Sequence, residues 1–177
     1  MRKLNWGCGP CTASGWINAD LKDIAGVDLR CDIRTGLPFD AGSIDCIASI
    51  HMLQDLPYED LAPALGELRR VLKPGGVLRI AVPDLDKALQ AYLAGDPTYF
   101  YVPDSDARSI GAKLITQITW YGSVRTPFTF DFLHESLTNA GFHAIERCDY
   151  GLTRSPYPDL PSLDNRARES LFVEAAR

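Results

Sequence analysis

Seven short runs of apolar or alternating residues punctuate the chain, at about 2–6, 16–20, 27–31, 44–50, 76–82, 143–149 and 170–176, each bounded by Gly, Pro or Asp. Runs of this length and period predict strands. Four other stretches, near 58–72, 84–94, 105–118 and 130–140, carry helical spacing. The clearest has Leu61, Leu65, Leu68 and Leu72 at intervals of three or four. Behind it, Lys73-Pro74-Gly75-Gly76 supplies a cation, a helix breaker and two residues free to take positive φ, which predicts a helix stop. Strands alternating with helices predict a mostly parallel sheet. The last two strands have no helix between them and suggest an antiparallel pair at one edge. Residues 153–163 are rich in Pro and Asp and read as a loop. Residues 96–124 hold five aromatics and an amphipathic stretch, and are expected to pack over the sheet as a lid.

Composition narrows the class. At 177 residues and 46% hydrophobic, the chain is long enough for one domain with a sizeable core. Its formal charge is −5 and no Lys/Arg run exceeds two residues, so the clustered cations that neutralise a nucleic-acid backbone are missing and no nucleic-acid partner is expected. Met1-Arg2-Lys3 leads directly into a strand-like run, and no apolar segment suits a signal peptide or a membrane span. Cys31, Cys46 and Cys148 sit in apolar runs and read as free thiols of a reducing compartment, which points to the cytoplasm.

The candidate chemistry lies at the strand ends. In an open parallel sheet, ligands bind outside the carboxyl ends of the strands. After the first strand comes Gly7-Cys8-Gly9, where glycines allow a tight turn and a close approach of backbone to ligand. After the second comes Asp20, a carboxylate placed to accept both hydroxyls of a ribose. After the third comes Asp32, a potential acceptor for an adenine amino group. Ser49, Ile50 and His51 follow the fourth strand, and Pro83 and Asp84 the fifth. Asp84 reads foremost as an N-cap.

The same opening stretch also contains W-x-C-G-P-C, which resembles a thioredoxin dithiol. A reactive dithiol needs a helix after its first cysteine. Here Thr12-Ala13-Ser14-Gly15-Trp16 leads into another strand pattern, and only residues 1–7 precede Cys8. The redox reading is set aside, and no second Cys or His pair supports a metal site. A nicotinamide-binding turn is disfavoured too: Thr12 occupies the position of its third glycine, and Asp20 follows too soon.

From Leu4 to Leu85 the chain resembles the class I S-adenosylmethionine-dependent methyltransferases, specifically the methyltransferase type 11 group. The resemblance is carried by LNWGCGP, GWINADL, CDIRTGLPFDAGSIDCIASIHMLQDL and ELRRVLKPGGVLRIAVPDL, with LTNAGF and ESLFVEAA fitting the last helix and strands. It implies a Rossmann-like three-layer α/β fold: a mostly parallel seven-stranded sheet with an antiparallel last strand, in one domain spanning 1–177 with 96–128 as a lid or cover insert. It implies S-adenosylmethionine as cofactor and S-adenosylhomocysteine as product, with contacts at Asn5, Gly7, Cys8, Gly9, Asp20, Leu21, Asp32, Ile33, Ser49 and Ile50. His51 is the best placed general base, with a cofactor-shaping role as the equal alternative. His134 and His143 flank a helix and are assigned to packing. Arg154, Arg166 and Arg168 either meet an anionic acceptor or belong to a solvated loop.

Three departures stand out. Asn5 replaces an acid, Gln54-Asp55 replaces a pair containing histidine, and the first two links are short. Residues 7–15 separate Trp6 from Trp16, and 21–26 separate Asp20 from Val27. A parallel crossover normally takes about a dozen residues or more, so the helices after the first two strands are expected to be shortened or absent. That would leave one sheet face bare, to be covered by the aromatic insert or by a second copy in a homodimer. The expected activity is methyl transfer to a small-molecule or glycan-type acceptor. The alternative is a non-catalytic Rossmann-like module that has lost or weakened cofactor binding.

Overall fold

The computed structural model describes all residues, 1–177. Its strands are β1 (Lys3–Trp6), β2 (Ile17–Asp20), β3 (Leu29–Arg30), β4 (Ile44–Ile50), β5 (Leu72–Pro83), β6 (His143–Cys148) and β7 (Ser170–Ala176). Its helices are α1 (Tyr58–Val71), α2 (Leu85–Leu93), α3 (Ile110–Thr119) and α4 (Phe130–Asn139). The strands form one sheet in the order β3-β2-β1-β4-β5-β7-β6. β7 is antiparallel to both of its neighbours, while the β1, β2, β3, β4 and β5 pairings are all parallel. The expected antiparallel pair at the edge is therefore refined: β6 is the edge, and β7 slots between it and β5. No helix follows β1 or β2.

The register explains which face holds the helices. One row across the sheet reads Ile17, Leu4, Ile47, Leu78, Ala175. The next row, one residue further on, reads Asn18, Asn5, Ala48, Arg79, Glu174. Successive residues of a strand point to opposite faces, so the apolar and polar rows lie on opposite sides. The apolar side packs against Leu61, Leu65 and Leu68 of α1 and Leu133 and Leu137 of α4 in the main core. Burying each such leucine contributes roughly 1.5–3 kcal/mol.

The polar side lacks helices, and residues 149–168 cover it. Tyr157, Leu160 and Leu163 from this segment pack with Trp16, Cys46, Ala48 and Val77. Arg79, fully buried, anchors the cover. It donates to Asp164 through Nε (2.7 Å) and Nη2 (2.5 Å) and to Glu174 Oε1 at 2.8 Å, and it reaches the carbonyls of Leu152 and Asp149. The aromatic insert does not cover this face, contrary to the sequence expectation. Its Phe100 and Leu114 instead pack on Ala88 and Ala91 of α2, in a separate small cluster. With the face closed from within the chain, it supplies no reason for a second copy.

The short links are held by polar side chains in place of helices. Asn18 Oδ1 accepts from Asn5 Nδ2 (3.1 Å) and the Ala13 amide (2.9 Å). Asn18 Nδ2 donates to the Ala13 carbonyl (3.1 Å) and Asp28 Oδ2 (3.0 Å), and Asp28 also accepts the Asn18 amide at 2.8 Å. One buried amide thus ties both trimmed links to the sheet. Asn18→Leu leaves the Ala13 amide and carbonyl without their side-chain partner and removes one of the two acceptors of Asn5 Nδ2; it is expected to cost about 1–3 kcal/mol, read as a lower urea midpoint. An unchanged midpoint would mean that the loops are held by other means.

The predicted helix stop has a different form. β5 begins at Leu72, directly after α1. Lys73 pairs with Asp45 at 2.7 Å, and only Gly75 of the two glycines takes positive φ, at 74°. Gly76 runs so close to β4 that a Cβ there would lie 2.9 Å from the Asp45 carbonyl. The four residues form the irregular start of a strand whose register shifts between Ile44 and Cys46. No helix is long and apolar enough to cross a membrane.

Candidate functional site

A cleft of about 540 Å³ opens at the carboxyl ends of β1, β2 and β3, within the roughly 300–1,000 Å³ range of small-molecule sites. Gly7 and Gly9 form its floor, both at positive φ (69° and 51°). They are glycines for different reasons. A Cβ on Gly7 would lie 2.2 Å from Met52 Cγ, whereas one on Gly9 would meet no protein atom within 4 Å. Gly7 is therefore needed for packing, and Gly9 presents bare backbone to open space.

Asp20 is set by that turn. Its Oδ2 accepts the Gly9 amide and its Oδ1 the Lys22 amide, both at 2.8 Å. Each carboxylate oxygen keeps a lone pair for a further donor. This fits a ribose, which brings two adjacent hydroxyls. Leu21, Ile24, Ile33, Leu56 and Pro57 supply apolar walls of the kind a purine packs against.

Asp32 also lines the cleft but is already occupied. Arg34 donates to its Oδ1 through the amide and Nε, both at 3.0 Å, and to its Oδ2 through Nη2 at 2.7 Å. The side-chain bonds from Arg34, more than burial, set its titration and hold its carboxyl below the usual range. The pair is partly exposed, and such pairs contribute about 0–1 kcal/mol, so a ligand donor can displace Arg34 cheaply.

Four other implied contacts sit elsewhere. Asn5 is buried, and its amide is spent on the Cys11 carbonyl and Asn18. Ser49 is fully buried in the row beside Ile80 on the helix-bearing side, outside the cleft. Cys8 and Ile50 line a second cavity of about 210 Å³ behind the glycine turn, together with Asn5, Asn165 and Arg166. Burial pushes the Cys8 thiol up to about 11, no disulfide forms, and no helix follows Cys11. Nothing in the geometry supports a redox dithiol.

His51 lies between the two cavities and lines both. Its φ is 55°, in the left-handed region that side chains rarely adopt. Its amide donates to the Ala81 carbonyl (2.8 Å), and its carbonyl accepts from Gln54 Nε2 (2.6 Å). Gln54 thus holds the turn. His51 Nε2 is 2.8 Å from Ser170 Oγ, which is itself 2.8 Å from the Arg166 carbonyl. The serine proton is committed to that carbonyl, so Nε2 carries the imidazole proton and Nδ1 is the free acceptor. Nδ1 is buried without a partner.

Burial, and secondarily the Arg166 charge, push the His51 pKa down to about 3 from 6.5. The ring is neutral at neutral pH and a weak base. Since the unfolded chain takes up this proton first, the stability from a neutral His51 is complete above about pH 6.5. It is lost on acidification toward pH 3, at about 1.4 kcal/mol per pH unit. His51→Asn, which tolerates positive φ, is expected to flatten the fall in denaturant midpoint between pH 6.5 and 4. Identical acid slopes would contradict the assignment.

Met52 and Asp55 enter the cleft from the turn that continues past His51, whereas Arg125 carried no strand-end signal and reaches the cleft only through tertiary packing. Burial raises the Asp55 carboxyl above its usual range, against opposing effects from Gln54, Lys22, Arg166 and Arg125, although the residue keeps an exposed edge. His134 and His143 are exposed on α4 and β6. Asp84 caps α2 by accepting the Lys87 amide. Arg154 projects into solvent beside Glu146, and Arg168 stacks over Tyr101 at 4.1 Å.

Residues 4–80 match the family model described as a methyltransferase domain. A 55-residue stretch is 51% identical to an uncharacterized 37.1 kDa protein in a transposon of Streptomyces fradiae; the match covers 31% of this chain and 15% of that protein. The fold is similar to that of a methyltransferase from Thermotoga maritima described as a possible histamine N-methyltransferase, at 17% identity and a TM-score of 0.62 over 99% of this chain and 81% of that one. It is also similar to a methyltransferase from Archaeoglobus fulgidus, at 15% identity and a TM-score of 0.63 over 100% of this chain and 86% of that one. Residues 4–80 are thus similar in sequence to a methyltransferase domain, and over nearly the whole chain the fold is that of the two S-adenosylmethionine-dependent methyltransferases.

Proposed function

We propose that the protein binds S-adenosylmethionine in the cleft and transfers its methyl group to an O–H or N–H of a small-molecule or glycan-type acceptor. The observation that carries this reading is Asp20. Both its oxygens are oriented by backbone amides of the glycine turn and of Lys22, and both retain capacity toward the cleft. Gly9 adds bare backbone beside it.

When bound, the cofactor supplies a methyl group made electrophilic by its sulfonium. The chain's own contribution is mainly positioning, which supplies roughly 7–11 kcal/mol in well-oriented reactions. Asp20 would hold the ribose, and Leu21, Ile24 and Ile33 the purine. His51 is too weak a base at about 3 to hold a proton at neutral pH. Its role here is to orient, with Nδ1 accepting the hydrogen bond of the incoming O–H or N–H. Asp55, whose carboxyl is raised by burial in the same cleft, is the better proton acceptor.

A non-catalytic module is the second reading. It is favoured by Asn5, whose amide faces the loop it supports, and by the engagement of Asp32 with Arg34. Titration calorimetry with S-adenosylmethionine and S-adenosylhomocysteine separates the two. Binding in the micromolar range is expected, and no heat at millimolar ligand would overturn the enzymatic reading.

A further inference from the structure

The second cavity, behind the glycine turn, is lined by a cationic side chain, Arg166, and by Asn165, whose Oδ1 has no partner. We infer that Arg166 and Asn165, in the turn entering β7, bind the amino-acid end of the methyl donor: Arg166 its carboxylate and Asn165 Oδ1 its ammonium. The assignment rests on the cofactor reading above.

Four observations carry it. The cavity adjoins the main cleft across Gly7, Gly9, Pro10 and His51, which line both. A ligand with its ribose at Asp20 can therefore continue over bare glycine backbone into the second cavity. Asn165 Oδ1 is buried with no hydrogen-bond partner, a costly state unless a donor arrives there. Arg166 has one ion-pair partner, Glu169, at 3.7 Å, and also acts on the Asp55 carboxyl through its charge; its side chain is about half exposed, so its guanidinium can still meet an anion.

The fourth observation is what the fold lacks. In a doubly wound sheet, an anionic ligand group at the first strand is ordinarily met by the N-terminus of the helix that follows. No helix follows β1 here, and its place is taken by the 149–168 segment that carries Arg166. The segment is aimed with care. Arg166 and His51 both hold left-handed backbone, at φ 52° and 55°. They are joined by the bridge from His51 Nε2 through Ser170 Oγ to the Arg166 carbonyl. Strained backbone that its surroundings hold in place is a mark of a binding site.

The test uses two ligands that share the adenosine end. S-adenosylhomocysteine carries the amino acid, and 5′-methylthioadenosine lacks it. Each is titrated calorimetrically into wild type, Arg166→Asn and Asn165→Ala. Asparagine at 166 tolerates the left-handed backbone. Arg166→Asn is expected to weaken S-adenosylhomocysteine about 10- to 100-fold, the range for a hydrogen-bonded charge, and to leave methylthioadenosine within twofold. Asn165→Ala is expected to show the same selectivity with a loss of about 5- to 10-fold. Equal losses for both ligands, or no loss for either, would overturn the assignment while leaving the cofactor reading intact. Wild type that binds neither nucleoside would overturn both. Retained methylthioadenosine affinity also serves as the control that each variant has folded.

Discussion

Asp164→Ala is expected to destabilise the protein by about 3–5 kcal/mol, the usual cost of leaving a buried charge without its partner. Arg79 has no exposed surface and Asp164 is 1% exposed at its side chain, so water cannot take the place of the lost carboxylate. Glu174 and two carbonyls remain around the guanidinium, but the bidentate contact is lost, and with it the acceptor of the Gly151 amide. For a chain of this size each kcal/mol shifts the melting midpoint by about 2–4 °C, so a drop of roughly 6–20 °C should be read by circular dichroism. The loss should appear first where Arg79 holds the cover. Hydrogen exchange in residues 149–168 is expected to accelerate more than in α1 or α4. A change below about 1 kcal/mol would mean that the arginine relaxes to solvent and that the cover is held by Tyr157, Leu160 and Leu163 alone.

Asp20→Ala is expected to lower the affinity for S-adenosylhomocysteine by about 10²- to 10⁴-fold, because two hydrogen bonds to a charged group contribute about 1.5–3 kcal/mol each. The loss combines two effects. The ribose hydroxyls lose their acceptors, and the Gly9 and Lys22 amides lose the carboxylate that orients the turn. Asp20→Asn separates them. It keeps one acceptor oxygen and the shape of the side chain, and should fall between wild type and the alanine variant. Both variants should keep a near-native melting curve, since Asp20 lies at the rim of the sheet rather than in its core. Asp20→Ala that binds S-adenosylhomocysteine within about threefold of wild type would remove the ribose assignment and, with it, the main support for the proposed function.

These two aspartates differ in how readable they were. Asp20 stands at the end of a strand pattern and two residues past Asn18, so its place at the carboxyl edge follows from local sequence. Asp164 lies in a Pro/Asp-rich stretch that reads only as a loop. Its partner left a trace: Arg79 interrupts the apolar run Val77-Leu78-Arg79-Ile80-Ala81-Val82, and a charge in the middle of a central strand implies a buried partner. Asn18 left a similar trace, since asparagine is depleted in strand interiors unless its amide has work to do there.

Contiguous residues determined the elements. Periodicity, breakers and strand-end residues located seven strands and four helices, and the shortness of 7–15 and 21–26 excluded two crossover helices, because chain length bounds reach. Tertiary structure decided what those residues do. Only packing shows that Asn5 is held by Asn18, that Ser49 faces the helix side, and that the 149–168 segment rather than the aromatic insert covers the polar face. Hydrogen bonding and desolvation depend on partners far apart in the chain. His51 illustrates this: its position after β4 is a matter of sequence, but its tautomer and its depressed basicity come from Ser170, Arg166 and burial, set by a strand that enters the sheet 119 residues later.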